Sequence, residues 1–378
     1  MAKTRELRPA YGFDDVALVP GNVTCDPADV EIGLRIGDLT FSIPILAAAM
    51  DAIVDPAFAI RFGKLGGLAV MNLEGVQTRY DRPAELLTQV AESTPDQATA
   101  LLQRIYAEPI KPKLVAERIA EIKAADVPVA VSVTPLRAGD LGPVAVEAGA
   151  SVLFVQSTVT TARYISKSQS QLSFASFCKS TPIPVVVGNC VGYDTSMELL
   201  ESGIAGLLVG VGPGAACTSR EVLGIGVPQV TATLECQAAR DDYFDKTGRY
   251  VVLITDGGMR TGGDIAKAVA SGADAVMLGS PFAQAAEAPG RGHNWGMATP
   301  HAALPRGTRV KVGVRGTLEQ ILFGPTSLTD GTQNYIGALR MSMGMCGAQT
   351  IRDMHRAQIV LAPSIKTEGK MYQLAGMR

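Results

Sequence analysis

Residues 250–280 read YVVLITDGGMRTGGDIAKAVASGADAVMLGS and contain two short apolar runs with a helical pattern between them. The first run, Tyr250–Asp256, ends in an acidic residue, and the second, Ala275–Ser280, ends in Gly-Ser. Both runs are continuous rather than alternating, which indicates strands that are buried on both faces. The segment between them, Gly262–Ser271, is followed by a glycine that can stop a helix. The stretch therefore predicts a strand, a helix and a second strand of a parallel sheet.

The same unit recurs along the chain. Six earlier apolar runs have the same character, at Ile43–Met50, Gly67–Asn72, Pro128–Thr134, Val152–Ser157, Ile183–Asn189 and Gly206–Gly212. Helical patterns such as Lys113–Ala125 and Thr195–Ser202 lie between them. Eight strand-helix units predict an α/β protein with a (β/α)8 TIM barrel. A doubly wound open sheet is the alternative, because periodicity does not show whether a sheet closes.

Two segments are longer than the repeating unit requires. Residues 74–112 follow the second predicted strand, and we expect a helical insertion there, with helices at Pro83–Glu92 and Pro95–Glu108. Residues 281–378 form a C-terminal extension after the eighth predicted strand. Within the extension we expect a strand pair at Arg309–Val314 and helices at Leu318–Leu322 and Met341–His355. We predict one domain over residues 1–378.

Composition excludes several classes of protein. Hydrophobic residues make up 47% of the 378 residues and charged residues 19%, which excludes a disordered chain. The net charge of −2 gives no electrostatic basis for holding nucleic acid. The apolar runs are far shorter than the ~20 residues of a membrane span, and no apolar signal segment follows the N-terminal basic residues, so we expect a cytoplasmic protein without membrane partners. Six scattered cysteines without a CxxC pair argue against disulfides or a zinc knuckle.

A glycine-rich loop follows the sixth predicted strand. Residues 210–220 read GVGPGAACTSR, so that a loop able to approach a ligand closely ends in a thiol, two hydroxyls and a cation. Active residues of a barrel lie at the carboxyl ends of its strands. Cys217 is therefore a candidate nucleophile, and Arg220 nearby favours its thiolate. The alternative is a structural turn with an incidental cysteine.

The last two strands also end in residues with binding chemistry. Asp256 precedes Gly257 and Gly258, and Gly279 precedes Ser280. Loops in these places commonly bind phosphate in barrels, and an aspartate can accept both hydroxyls of a ribose. The alternative for Asp-Gly-Gly is a tight turn. No GxGxxG opens the first unit, which argues against a Rossmann fold. His293 and His301 flank a glycine-rich segment, where we expect solvated side chains.

The thiol loop and its continuation EVLGIGVPQVTA resemble the catalytic loop of the IMP dehydrogenase/GMP reductase family. The resemblance extends over most of the chain, through TDGGMRTGGDIAKAVASGADAVMLGSPFA (255–283) and through YGFDDVALVP (11–20), IPILAAAMD (43–51), GGLAVMN (66–72), VVVGNC (185–190) and EAPG (287–290). No segment resembles the paired CBS module that many dehydrogenases carry. Residues 74–112 occupy its place and are too short for it. The chain is similar to the branch of IMP dehydrogenase-like proteins without that module.

The resemblance implies roles for individual residues. It makes Cys217 the nucleophile that attacks carbon 2 of the purine and Ser219 a catalytic hydroxyl. It implies three groups of binding residues: nucleotide-binding Asp256, Gly258, Gly279, Ser280 and Met297; NAD-binding Gln156, Asn189, Gly210 and Gly212; and the carbonyls of Gly212, Gly214 and Cys217 around a monovalent cation such as potassium.

Several positions depart from the family pattern. Two serines of the nucleotide site are replaced by Ala48 and Ala215, and the aspartate that holds the nicotinamide ribose is replaced by Gln156. Dehydrogenases carry an Arg-Tyr dyad on a long flap after the eighth strand. Here a short segment without Arg-Tyr connects residues 297 and 307. We therefore expect Ser219, assisted by Arg306 or His293, to act in the hydrolysis step.

Three functions follow from the resemblance. The first is NAD-dependent oxidation of IMP to XMP, in guanine nucleotide biosynthesis, by a homo-oligomer of four or eight subunits. The second is NADPH-dependent reduction of GMP to IMP. In favour of this function, GMP reductases have a similarly short flap and similar residues at the positions of Pro213 and Arg220. Against it, Arg306 occupies the position at which a reductase needs a glutamate to handle the leaving amine. The third is a catalytically silent nucleotide-binding paralogue, against which the retained Cys217 argues. Both NAD and NADP are compatible with these residues, and the residues do not identify the water-activating base.

Overall fold

The computed structural model of the protein describes residues 7–167, 172–296 and 307–363. Its strands within these ranges, in chain order, are β1 (Val16–Leu18), β2 (Leu34–Ile36), β3 (Leu39–Phe41), β4 (Ile45–Ala47), β5 (Leu68–Asn72), β6 (Ala130–Val133), β7 (Val152–Gln156), β8 (Val185–Cys190), β9 (Gly206–Val209), β10 (Val252–Asp256), β11 (Ala275–Leu278), β12 (His293–Gly296), β13 (Thr308–Lys311) and β14 (Ile359–Leu361).

The α-helices of the described ranges connect and cover these strands. They are α1 (Pro56–Lys64), α2 (Pro83–Glu92), α3 (Pro95–Ile105), α4 (Pro112–Lys123), α5 (Ala138–Ala148), α6 (Phe174–Ser180), α7 (Tyr193–Glu201), α8 (Ser219–Leu223), α9 (Gln229–Thr247), α10 (Gly262–Ala270), α11 (Ser280–Ala283), α12 (Leu318–Phe323), α13 (Tyr335–Met345) and α14 (Ile351–Met354). Among these residues there is no helix with the length and apolar character that crossing a membrane requires.

Eight parallel strands, β4 to β11, close into a barrel. Closure is made by β11, which pairs with β10 on one side and with β4 on the other, where Val276 lies opposite Ile45. The predicted TIM barrel is thus confirmed, and the open doubly wound sheet is excluded. The continuous apolar runs have a simple cause: one set of strand side chains fills the barrel, and the alternate set packs under the surrounding helices.

A short hairpin closes the amino-terminal end of the barrel. β2 and β3 pair antiparallel through a turn at Gly37, whose φ of 60° suits glycine. Leu34, Ile36 and Phe41 of this hairpin are buried in one cluster with the side chains that fill the barrel interior. The opposite end, where the strands terminate, stays open to the loops that carry the candidate site. The sequence patterns did not predict this hairpin, because each strand has only three residues.

The two long segments differ in how well their elements were predicted. In residues 74–112, α2 and α3 lie where helices were expected. In the extension, the single helix expected at Met341–His355 is wrong: α13 ends at Met345 and α14 begins at Ile351. Gly347 between them has φ 72°, which ends the helical path.

The strand expected within Arg309–Val314 exists as β13, but its partner is β12 rather than a strand of the same segment. This hairpin lies at the open end of the barrel. At the other limit of the extension, β14 pairs antiparallel with β1, which joins the two ends of the described chain. The expected residues Met297, His301 and Arg306 lie outside the described residues.

Candidate active site

A cavity of about 780 Å³ opens at the carboxyl ends of the barrel strands. Its lining includes the thiol loop at 210–219, the Asp-Gly-Gly turn at 256–258, the Gly-Ser pair at 279–280 and residues from the helical insertion. Barrel enzymes place their reactive groups at this end, because every parallel strand delivers its following loop to the same face. The three loop segments that were singled out separately in the sequence therefore form one site, and the helical insertion adds residues to its wall.

The thiol loop is held by its own backbone. The Cys217 N–H donates to the carbonyl of Gly214 at 3.0 Å, and Gly210 and Gly212 adopt φ values of 139° and 79° that glycine tolerates. The half-buried Cys217 thiol donates to Ser219 Oγ at 3.3 Å. Ser219 is itself buried at the first turn of α8. The structure thus brings together the predicted nucleophile and the predicted catalytic hydroxyl.

The Arg220 side chain packs against glycines of the thiol loop and of the segment that follows it. It packs against the backbone of Gly212 and Gly226, where a Cβ would lie 2.7 Å from Arg220 atoms. Its Nη2 donates to the carbonyl of Val227 at 3.0 Å. The side chain therefore holds Gly212 next to the segment at 226–227. The Cys217 thiol donates its hydrogen bond to Ser219, and the stabilisation of the thiolate expected from Arg220 stays a prediction.

Asp256 lies at the end of β10 with its carboxylate at the cavity. Oδ2 accepts a hydrogen bond from Asn189 Nδ2 at 2.7 Å, which brings a residue expected at the cofactor against the residue expected at the ribose. Burial raises the pKa of Asp256 to about 6, and the hydrogen bond from Asn189 opposes the rise. Hydrogen bonds donated by the hydroxyls of a ligand would therefore stabilise the ionised carboxylate.

A buried glutamine that the sequence analysis missed supports this strand end. Gln229 Nε2 donates to the carbonyl of Val209 at 2.8 Å and to the carbonyl of Asp256 at 3.0 Å. It thereby joins the carboxyl ends of β9 and β10, from which the thiol loop and the Asp-Gly-Gly turn depart. Gln229 lies in the VPQVTA motif, but nothing in that motif indicated its contacts.

The Asp-Gly-Gly segment is both a tight turn and a wall of the cavity. Gly257 and Gly258 have φ values of 81° and 83°, in the region that favours glycine. A Cβ at Gly258 would lie 3.1 Å from Pro213 Cβ, so the turn packs directly on the thiol loop. The motif was expected to be either a ligand-binding loop or a tight turn. The two are compatible, because the tight turn fixes the position of the cavity wall.

Ser280 begins α11 at another side of the cavity. Its Oγ accepts from Asn294 Nδ2 at 3.1 Å, and Asn294 Oδ1 is buried without a hydrogen-bond partner among the described residues. A Cβ at Gly279 would lie 3.5 Å from Met50 Sδ and 4.0 Å from Ala48 Cβ. Ala48, which replaces a family serine, thus lies next to the predicted phosphate residues, and Asn294 supplies a polar group that the sequence analysis did not identify.

Gln156 ends β7 and faces the same cavity. Its Oε1 is buried without a hydrogen-bond partner among the described residues. An orphaned buried acceptor costs about 1–3 kcal/mol, so a ligand that supplies an N–H or O–H donor is favoured at this place. His293, by contrast, lies on β12 and is not among the described residues that line the cavity. Burial and the cations Arg309 and Lys311 lower the pKa of His293.

Three further residues of the cavity wall form a hydrogen-bonded chain that the sequence analysis missed. Tyr106, just after α3, donates to Asp51 Oδ2 at 2.5 Å and accepts from Trp295 Nε1 at 3.2 Å. Asp51 is only 2% exposed, and burial raises its pKa to about 6, although Tyr106 and Arg79 lower it. Asp51 belongs to the quoted motif IPILAAAMD, whereas no motif contained Tyr106.

The described residues contain no group of three or more His, Cys, Asp or Glu side chains arranged to hold a metal ion. A cation site made by the carbonyls of Gly212, Gly214 and Cys217 would be of another kind, with neutral oxygen ligands. One of these oxygens, that of Gly214, already accepts the Cys217 N–H. A carbonyl oxygen has two lone pairs, so this bond leaves capacity for a cation.

The fold and the cavity define the class: an α/β barrel whose loops present a thiol in a cavity of about 780 Å³ at one face. Comparison with known proteins gives the family. Residues 10–369 match the model of the IMP dehydrogenase / GMP reductase domain, and the chain belongs to this family.

Among the relatives, those of about 40% identity are named as oxidoreductases and those of about 25% identity as inosine-5'-monophosphate dehydrogenases. The chain is 40% identical to an uncharacterized oxidoreductase of Mycobacterium leprae (strain TN), over 95% of this chain and 98% of that protein. It is 25% identical to the inosine-5'-monophosphate dehydrogenase of Methanocaldococcus jannaschii, over 99% of this chain and 97% of that protein.

A solved structure is similar throughout. The crystal structure of an IMP dehydrogenase/GMP reductase-like protein from Corynebacterium glutamicum ATCC 13032 Kitasato superposes with a TM-score of 0.89 at 35% identity. The match covers 94% of this chain and 95% of that one. The predicted family and the predicted barrel are thus confirmed together.

Proposed function

We propose that this protein oxidises IMP to XMP with NAD as the hydride acceptor. The observation that carries the proposal is the Cys217–Ser219 hydrogen bond at 3.3 Å, inside the cavity that Asp256 and Ser280 also line. A thiol is a strong nucleophile, and a covalent intermediate splits one difficult step into two easier ones. Retention of the thiol loop and membership of the family support this reading over a silent nucleotide-binding protein.

In this proposal, Cys217 carries out the chemistry and the other residues of the cavity bind the nucleotide. Cys217 forms a bond from Sγ to carbon 2 of the purine, a hydride leaves that carbon, and water then replaces the sulfur to give XMP and the free thiol. Asp256 accepts the ribose hydroxyls, and Gly258, Gly279 and Ser280 bind the phosphate, with Asn294 as an added polar contact to Ser280. Met297 is proposed to contact the base through its backbone.

The polar groups of the neighbouring wall fit a nicotinamide nucleotide. Gln156 Oε1 offers a buried acceptor to its hydroxyl or amide donors, and Asn189, Gly210 and Gly212 lie around the same cavity. The chemistry that NAD supplies when bound is acceptance of the hydride. The carbonyls of Gly212, Gly214 and Cys217 would hold a potassium ion, a cation that prefers oxygen ligands. A homo-oligomer of four or eight subunits and a cytoplasmic location stay predictions.

One pair of assays tests the proposal. Purified protein is mixed with IMP and NAD, and separately with GMP and NADPH, and the absorbance of the reduced nicotinamide is followed. We expect the absorbance to rise with IMP and NAD and to stay constant with GMP and NADPH. A fall in the second reaction alone would identify a GMP reductase. Nucleotide binding without a change in either reaction would identify a silent paralogue.

A further inference from the structure

The cavity contains a second group of reactive side chains besides the thiol loop. Asp51, Tyr106 and Trp295 all line the cavity and are joined by hydrogen bonds, with the Tyr106 hydroxyl in the middle. This hydroxyl donates to Asp51 and accepts from Trp295, so its oxygen keeps one lone pair for a further donor. A water molecule in the cavity is a donor of the right size.

The carboxylate of Asp51 is held in one position. Its Oδ1 accepts the Val76 N–H at 3.1 Å, while Oδ2 accepts the Tyr106 hydroxyl. A Cβ at Gly75 would lie 2.2 Å from Oδ1, so only glycine at that position allows the carboxylate to lie there. Tyr106 and Val76 both belong to the insertion at 74–112. The insertion therefore contributes residues to the site as well as covering the barrel.

The chain of hydrogen bonds lies next to the thiol loop. Gly296 follows Trp295 on β12, and a Cβ at Gly296 would lie 3.8 Å from the carbonyl oxygen of Ala216 and 3.8 Å from Met50 Cε. Ala216 precedes Cys217, and Met50 precedes Asp51. The thiol loop and the segment that carries the carboxylate thus meet at one point of the cavity wall.

Hydrolysis of the covalent intermediate needs a group that takes a proton from water. Three carboxylates occur among the described residues that line the cavity: Asp51, Glu74 and Asp256. Asp256 is committed to Asn189 and to the proposed ribose contact, and Glu74 Oε1 accepts the Thr134 N–H at 2.6 Å. Ser219 is hydrogen-bonded to the thiol, and an alcohol alone is a weak base. Of the three carboxylates, Asp51 is the one that accepts a hydrogen bond from a hydroxyl lining the cavity, that of Tyr106, and this hydroxyl gives a path for a proton from the cavity to Asp51.

We propose that Tyr106 and Asp51 form a proton relay that activates the hydrolytic water. This inference rests on the proposed function. The water oxygen forms a bond to carbon 2, its proton passes to Tyr106 Oη, and the hydroxyl proton of Tyr106 passes to Asp51 Oδ2. The bond from carbon 2 to Cys217 Sγ then breaks, and the electron pair stays on the thiolate. Asp51 later returns its proton to solvent, so the tyrosine ends each cycle as it began.

The acid-base properties of the pair suit this role. Asp51 has a pKa of about 6, because burial raises it more than Tyr106 and the Arg79 guanidinium lower it. A base with a pKa near the working pH combines ionisation with a useful proton affinity. Burial and the Asp51 charge raise the pKa of Tyr106 well above its ordinary value, so the tyrosine passes a proton on rather than staying ionised.

The test uses Tyr106→Phe, which removes the hydroxyl and keeps the ring. The matched control is Tyr80→Phe: Tyr80 also belongs to the insertion, but its hydroxyl donates to the carbonyl of Ile105 at 3.0 Å. With IMP and NAD, we expect Tyr106→Phe to keep a rapid burst of about one NADH per active site and to lose at least about a hundredfold in kcat. The protein quenched during turnover then carries the purine on Cys217. Tyr80→Phe keeps both phases.

Two further readouts separate a relay from a structural role. At saturating IMP, kcat of the wild type should fall as the pH drops through about 6 and Asp51 becomes protonated, and the residual kcat of Tyr106→Phe should lack this fall. The IMP Kd of Tyr106→Phe should match that of the wild type. Asp51→Asn should reproduce the slow turnover if it melts at the wild-type temperature.

The outcomes distinguish the relay from the function on which it rests. Wild-type turnover in Tyr106→Phe would overturn the relay and leave the dehydrogenase intact, and loss of turnover in Arg306→Ala instead would assign the base to that residue. A Tyr106→Phe protein that lacks the burst would also overturn the relay, because the defect would precede hydrolysis. A wild-type protein that forms no NADH from IMP would overturn both proposals.

Discussion

Replacement of Asp256 by asparagine should stabilise the ligand-free protein and weaken nucleotide binding. Burial raises the pKa of this carboxyl from 3.8 to about 6 in the folded protein, so the ionised form is less stable there than in the unfolded chain. A pKa difference of about two units corresponds to ~3 kcal/mol at neutral pH. Water in the cavity screens part of this cost, so we expect a gain of about 1–3 kcal/mol in the free energy of unfolding.

The pH dependence follows from the direction of the shift. Because the folded-state pKa is the higher one, the folded protein binds this proton more tightly, and the wild type loses stability as the pH rises from about 4 to about 6. Above about pH 6 the full penalty is present. Asp256→Asn has no ionisable group at this position, so its free energy of unfolding does not contain this pH-dependent loss. The difference in stability between Asp256→Asn and the wild type should therefore be small near pH 4 and constant above about pH 7.

The assay is urea unfolding of the ligand-free wild type and Asp256→Asn at pH 8 and pH 5, with Asp245→Asn as the control. Asp245 is exposed on α9, so its replacement removes the same formal charge without relieving burial. The IMP Kd of each protein is measured in parallel, and we expect Asp256→Asn to bind at least tenfold more weakly, since a charged acceptor contributes about 1.5–3 kcal/mol. A variant that is less stable than the wild type at pH 8 would refute the reasoning.

Three other predictions follow from the site. Cys217→Ser should abolish NADH formation while IMP still binds with its wild-type Kd, as measured by titration; turnover near the wild-type rate would remove the covalent step. Gly258→Ala should lower the stability by about 1–2 kcal/mol, because φ at this position is 83° and the new Cβ would lie 3.1 Å from Pro213, and it should raise KM for IMP; an unchanged melting temperature would count against the described turn. Gly75→Ala should displace the Asp51 carboxylate and slow turnover without removing the NADH burst, since its Cβ would lie 2.2 Å from Asp51 Oδ1.

The barrel could be predicted from the sequence because its strands are buried on both faces and therefore read as short continuous apolar runs. The elements that were missed lack such a signal. β2 and β3 have three residues each, and β1 finds its partner β14 at the other end of the chain. Local patterns do not encode pairing between segments so distant in sequence.

The same contrast applies to the candidate site. Cys217, Asp256 and Ser280 could be located because glycine-rich turns follow their strands and parallel strands deliver those turns to one face. The chain of Asp51, Tyr106 and Trp295 joins residues that are 55 and 189 positions apart, with no motif in common. Only the three-dimensional arrangement brings them together. The expected assistance by Arg306 stays a prediction, and that expected from His293 does too, although His293 lies outside the cavity lining.

The central claim is that Cys217 becomes covalently bonded to the purine during oxidation of IMP. The most direct measurement is the intact mass of the protein quenched in acid within the first turnover after mixing with IMP and NAD, followed by peptide mapping. The account predicts one added nucleotide per chain, located on the peptide that contains Cys217 and absent when NAD is left out. Formation of NADH without any adduct on that peptide would contradict it.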